Sequence, residues 1–173
     1  VAFVVIQHLS PDHKSMMNEL LAKHTRMEIL IATEGLPVKP NHIYLIPPGK
    51  NLTIFHKKLF LTKIDKKESI NLPIDIFFRS LAKDLGKDSV GIILSGTGSD
   101  GTLGIRAIKA ASGMVMVQDQ QSAKFDGMPR AASSTGVADF ILSPEKMPEQ
   151  LRAFVEHPYV SREKDAEELL SNE

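Results

Sequence analysis

The chain has 173 residues, 42% of them hydrophobic, and its 21 basic and 21 acidic side chains balance. That length supports one domain with a substantial core, and the balanced charge leaves no footprint for nucleic acid or an anionic membrane surface. The lack of cysteine excludes disulfides and a thiol nucleophile and fits a reducing cytosol, while no run of about 18 apolar residues is present to span a membrane.

The first residues, Val1-Ala2-Phe3-Val4-Val5-Ile6, read as a buried strand with neither an initiating methionine nor a signal peptide ahead of them, which predicts a numbering that begins part-way through a larger protein. Pro11 restricts Ser10 to extended or turn geometry, so the strand is expected to end with His8 facing a crevice. A helix follows with Met16, Met17, Leu20, Leu21 and His24 on one stripe, the two methionines being expected in the core. Ile29-Leu30-Ile31 and His42 to Ile46 are further strands, separated by a loop that Gly35, Pro37 and Pro40 punctuate, and the second must stop at Pro47-Pro48-Gly49. Leu52 and Ile54, then Leu59 and Leu61, alternate around His56-Lys57-Lys58 and predict an inserted β-hairpin whose lysine tip is solvated.

Ile74, Phe77, Phe78, Leu81 and Leu85 recur at helical spacing, with Pro73 in the first turn, Asp75 at the positive end of the dipole and Gly86 placed to cap the far end. The apolar run Val90 to Leu94 then breaks into Gly96-x-Gly98-x-x-Gly101 before a helical pattern that includes Leu103, Ala107, Ile108 and Ala111, a strand, loop and helix in succession. Met114 to Asp119 reads as the next strand, Phe125 to Arg130 as a loop, Ala131 to Ser134 as a short helix and Asp139 to Leu142 as the last strand, after which Pro144 opens a helix through Val155. The predicted fold is α/β, a mostly parallel, doubly wound sheet with helices on both faces and the hairpin as an excursion from it. Residues 1–158 form the expected domain, and 159–173, acidic and polar, the expected tail or linker.

Three readings compete for the site. Gly96, Gly98 and Gly101 with Asp119 at the end of the following strand fit a dinucleotide fingerprint, against which Asp100 places a carboxylate where a pyrophosphate would sit. His8 and Asp100 each end a predicted strand, and parallel strands bring those ends to one edge, where a carboxylate can fix the tautomer of a histidine general base. Taken singly, His8 is equally well a hydrogen-bonded histidine at a strand end and Asp100 a helix N-cap beside Gly101. A metal site is disfavoured, because His8 and His13 have no clustered carboxylate or cysteine to complete a shell, and no cofactor is expected. A silent receptor- or partner-binding module is the third reading.

Gln7-His8-Leu9-Ser10-Pro11, Tyr44-Leu45-Ile46-Pro47-Pro48-Gly49, Ser95-Gly96-Thr97-Gly98-Ser99-Asp100-Gly101 and Asp126-Gly127-Met128-Pro129-Arg130 together resemble the CheB-type protein-glutamate methylesterase domain of chemotaxis, in the branch fused to a CheR-type methyltransferase. The resemblance implies a cytoplasmic enzyme that hydrolyses glutamate methyl esters on chemoreceptor helices, in some members also deamidating receptor glutamines, with a fused methyltransferase or a receiver domain as a further partner. It implies His8 and Asp100 as catalytic residues. It also implies Thr97, with neighbouring Gly98, at the oxyanion, where one backbone donor is worth roughly 3 kcal/mol. The family serine belongs to a Gly-Ala-Ser-x-Gly-Gly loop one strand and one helix before the Gln-His segment. No such motif occurs in the sequence, so the family's first strand and helix are expected to be absent and the nucleophile to lie outside the chain. None of Ser10, Ser95, expected to be a loop hydroxyl, and Ser99 takes its place.

Overall fold

A computed structural model describes residues 1–8, 16–64 and 70–156. The strands are β1 (Phe3–Val5), β2 (Glu28–Ile31), β3 (Leu36–Pro37), β4 (His42–Leu45), β5 (Lys50–Phe55), β6 (Lys58–Lys63), β7 (Val90–Ile93), β8 (Met114–Gln118) and β9 (Phe140–Leu142). The helices are α1 (Met17–Ala22), α2 (Pro73–Leu85), α3 (Thr102–Ala110), α4 (Gly127–Ser133) and α5 (Met147–Val155). Hydrogen bonding groups the strands into a parallel sheet in the order β1-β4-β2, a second parallel sheet in the order β7-β8-β9, and an antiparallel sheet in the order β3-β6-β5. The expected α/β architecture is therefore present, with its parallel strands divided between two sheets.

β8 shows why its sequence is apolar at successive positions. Val115 and Val117 face the main core with Ile93, Ile105 and Ile108, whereas Met114 and Met116 face Met147, Leu151 and Phe154 of α5. A strand buried on both faces cannot alternate apolar with polar residues.

The predicted hairpin is β5 and β6, paired from Lys50 with Lys63 to Phe55 with Lys58. His56 and Lys57 both take positive φ, 48° and 57°, which gives the two-residue connection the twist of the strands it joins. Lys57 and Lys58 are exposed as expected. The Asp84 carboxylate accepts the N–H groups of His56 at 2.5 Å and Lys57 at 2.9 Å, fastening the turn to the end of α2.

Helix α2 is the element on which the rest converges. Ile74, Phe77, Phe78 and Ala82 are buried in one cluster with Leu52, Ile54 and Leu59 of the hairpin, Tyr44 of β4 and Ile105 and Ile108 of α3. Burial of each large apolar side chain contributes about 1.5–3 kcal/mol. α3 comes so close that a Cβ on Gly104 would lie 2.6 Å from the Phe78 Cβ.

Two expectations need correction. Met16 is 62% exposed and Leu20 50%, and no residue of α1 is buried, so the methionine stripe is not core. The segment from Gly127, expected as loop, is already helical, because α4 begins four residues earlier than its apolar pattern suggests. Pro129 is tolerated there, within the first turn, where a missing N–H breaks no helical bond.

Candidate active site

His8 follows β1 and Asp100 follows β7, and the fold joins them: His8 Nε2 lies 2.8 Å from Asp100 Oδ2. The aspartate side chain is 3% exposed and the histidine 50%, so the carboxylate is sealed beneath a ring that solvent and substrate can reach. Asp100 is a helix cap, but of a different helix from the one expected. Its Oδ2 accepts the Ile74 N–H at 3.0 Å and its Oδ1 the Asp75 N–H at 2.9 Å. Pro73 has no N–H to offer, so Asp100 takes the next two amides of α2 and sits at the positive end of that helix. With Nε2 held by the carboxylate, His8 has Nδ1 left to exchange a proton with a hydroxyl.

A depression of about 210 Å³ opens beside His8, lined by Gln7, Pro47, Gly49, Lys50, Ile64, Asn71 and Pro73. A wider concavity of about 730 Å³ lies along Asp119, Gln121, Ser133, Ile141 and Lys146. The smaller one is the candidate site, because His8 lines it, with Asp100 bonded to the ring from beneath.

Thr97 and Gly98 are exposed in the loop between β7 and Asp100. Gly98 and Gly101 have φ of 82° and 97°, values that only glycine adopts without strain. This loop is stitched to the segment before α4: Phe125 O accepts the Gly96 N–H at 2.9 Å, and Gly96 O accepts the Met128 N–H at 2.9 Å. A Cβ on Gly127 would lie 3.1 Å from Gly98 N and 3.3 Å from Gly96 O, and one on Gly96 would collide with Met128 Sδ. Ser95 is a loop hydroxyl, as expected; its Oγ accepts the Phe125 N–H at 2.9 Å. Its own N–H donates to Gln118 Oε1 at 2.8 Å.

These contacts also bear on the dinucleotide reading. Gly96 makes room for Met128 and Gly101 for Ile93 and Ile74, and the Asp119 carboxylate accepts the Ser122 N–H at 3.0 Å and the Ser122 hydroxyl at 2.7 Å. Among the described residues no group of three or more His, Asp or Glu side chains could hold a metal, and His13 and Ser10 lie outside them. No helix among them is long and apolar enough to cross a membrane.

Sequence reasoning missed Asp75, Gln118 and Gly127. Asp75 is 4% exposed, and its Oδ1 accepts the Gly104 N–H of α3 at 2.6 Å. Burial raises its carboxyl above the ordinary value of 3.8; the Gly104 amide acts against that shift, the Asp100 charge adds to it, and Arg79 opposes it. The Asp-Gly-Met-Pro-Arg wording was the one signal for Gly127, and it named no partner.

Comparison with known proteins identifies the family and the fold. The CheB methylesterase family profile matches residues 1–151. An uncharacterised 104.1 kDa protein of Rhodobacter capsulatus is 41% identical over 131 residues, covering 76% of this chain and 14% of its own length. A protein-glutamate methylesterase/protein-glutamine glutaminase of Xanthomonas oryzae pv. oryzae is 34% identical over 156 residues, 88% of this chain and 44% of the relative. The crystal structure of the Thermotoga maritima CheB methylesterase catalytic domain superposes with a TM-score of 0.74 at 30% identity, covering 86% of this chain and 80% of that one. The chain spans less than half the length of either curated relative, and it belongs to the CheB methylesterase family.

Proposed function

We propose that the protein carrying this chain hydrolyses glutamate methyl esters on chemoreceptor signalling helices in the cytoplasm, through a serine contributed from outside residues 1–173. The observation that carries the reading is the 2.8 Å contact between a half-exposed His8 and a buried, doubly amide-bonded Asp100. The serine Oγ attacks the ester carbonyl carbon while His8 Nδ1 takes its proton, and Asp100 stabilises the imidazolium. Collapse of the tetrahedral intermediate breaks the bond to methoxide, which leaves as methanol with the proton from His8. Water, deprotonated by His8, then attacks the acyl-enzyme and frees the glutamate. The Thr97 backbone N–H, in the loop that Gly98 shapes, is assigned to the oxyanion. Glutamine deamidation follows the same course with ammonia as the leaving group, in keeping with the glutaminase activity in the name of the Xanthomonas relative. A fused methyltransferase or a receiver domain is the expected companion in the full-length protein.

The test is methanol release from a methylated receptor signalling domain by the full-length protein and by its His8→Ala variant. Turnover lost by orders of magnitude in the variant supports the proposal, and unchanged turnover ends it. No release by the wild-type protein would leave the chain a silent binding module. His8-dependent release by residues 1–173 alone would overturn the external serine.

A further inference from the structure

We propose that Asp75 is a positioning residue for the His8–Asp100 pair, acting through a reciprocal cap in which α2 and α3 each lend a carboxylate to the other's N-terminus. The proposal rests on the catalytic reading of that pair. Asp100 stands directly before Gly101, the N-cap of α3, yet its carboxylate binds the first two amides of α2. Asp75 stands in the first turn of α2, yet its carboxylate binds the Gly104 amide in the first turn of α3. Gly101 has no side chain with which to cap α3, so Asp75 supplies the acceptor that Gly101 lacks.

The two bonds close a loop in space. The amide that Asp75 donates to Asp100 belongs to the same residue whose side chain holds α3, and α3 begins where the Asp100 loop ends. Sliding either helix along the other therefore moves Asp100 away from its two donors and changes the distance from Oδ2 to His8 Nε2. Gly104 and Phe78 hold the helices in contact at this same level, so the lock works at close range. The charged groups facing Asp75 are Asp100 and Arg79, and burial already disfavours its ionised form. A buried carboxylate so placed is a poor choice for stability alone; it is well suited to fixing a geometry.

The experiment uses the full-length protein with Asp75→Ala, which removes the acceptor, and Asp75→Asn, which keeps one for Gly104. Asp75→Val, which also lacks an acceptor, repeats the first comparison should the Ala variant not fold. Receptor methyl-ester turnover is expected to lose about 10- to 100-fold in kcat in Asp75→Ala, with KM within about twofold. Asp75→Asn should stay within about threefold of wild type. Side-chain ¹⁵N shifts of His8 give a readout independent of turnover. The Nε2-protonated tautomer should dominate in wild type and Asp75→Asn and give way to a mixture in Asp75→Ala. Unchanged kcat in a merely less stable Ala variant would overturn the proposal, and so would an equal loss in both variants. An inactive wild-type protein would sink the proposed function instead, and the His8 shifts would still decide the positioning role.

Discussion

Asp100→Asn is the substitution that most directly tests the site. The carboxylate faces three donors when His8 carries its proton on Nε2: the Ile74 N–H at 3.0 Å, the Asp75 N–H at 2.9 Å and the ring itself at 2.8 Å. Asparagine is nearly isosteric but offers one oxygen. If that oxygen keeps the Asp75 amide, the new NH₂ confronts the Ile74 N–H. It also forces His8 to accept on Nε2, which puts the ring proton on Nδ1, the nitrogen that must be bare to act as a base. If the amide flips, the NH₂ confronts the Asp75 N–H, and no charge remains to stabilise an imidazolium. In both orientations a charge-assisted bond becomes a donor-against-donor contact at a residue only 4% exposed. The stability cost is about 1.5–3 kcal/mol. The rate cost, for a histidine in the wrong tautomer or without its counter-charge, is about 10⁴-fold in kcat, equivalent to about 5.5 kcal/mol of barrier. Methanol release by the full-length protein measures the second, and urea denaturation the first. A folded Asp100→Asn protein whose kcat stays within about tenfold of wild type would refute the assignment of Asp100 to the reaction.

Gly127→Ala drives a Cβ to within 3.1 Å of Gly98 N and 3.3 Å of Gly96 O, backbone atoms that cannot rotate aside. It should cost about 1–3 kcal/mol and lower ester turnover by displacing the Thr97 loop, read by thermal denaturation and kcat. Gly96→Ala instead meets the flexible end of Met128, so adding Met128→Ala should recover part of its loss, an interaction that a double-mutant cycle measures. Asp84→Ala frees the His56 and Lys57 amides of an exposed turn, and urea denaturation should show a loss of about 0.5–1.5 kcal/mol with turnover unchanged. Because the folded Asp75 carboxyl is raised above 3.8, the native state holds its proton more tightly than the unfolded chain. The stability this contributes is fully present below that ordinary value and is lost as pH rises through the folded one. Asp75→Asn should therefore gain on wild type across that interval in urea titrations at stepped pH, and a constant difference between the two proteins would contradict the shift.

Much of this was legible because it depends on near neighbours in the chain. The stripe Ile74, Phe77, Phe78 and Leu81 reports α2 on its own, and the unbroken apolar run of β8 reports a strand covered on both faces. His8 and Asp100 could be placed at one edge because parallel strands carry their carboxyl ends to the same side. What could not be read are bonds whose partners are chosen by packing. Asp100 beside Gly101 has the local form of a cap for α3, and nothing near it in the sequence says that it caps α2. Gln118 ends β8 as a polar residue where the strand pattern stops, while its role is to hold the Ser95 amide in the loop after β7. The Gly-Met-Pro sequence at 127–129 carries the chemistry of a turn, and it is helical because Gly96 takes the Met128 N–H that a capping side chain would otherwise have to satisfy.

The same distinction explains why local pattern failed on α1 yet succeeded on α2. Both present apolar residues at helical spacing, but such a stripe is buried only where another element supplies a matching face. α2 has that face on two sides, from Leu52 and Ile54 of the hairpin and from Ile105 and Ile108 of α3, and its amide terminus is closed by a carboxylate from the loop between β7 and α3. Among the described residues Met16 and Leu20 receive no such cover. An apolar period thus states which face a helix could bury, and the long-range bonds at its ends determine what it is held against. In this domain the bonds at the start of α2 include the carboxylate that orients His8, so the core helix and the candidate site depend on one set of contacts.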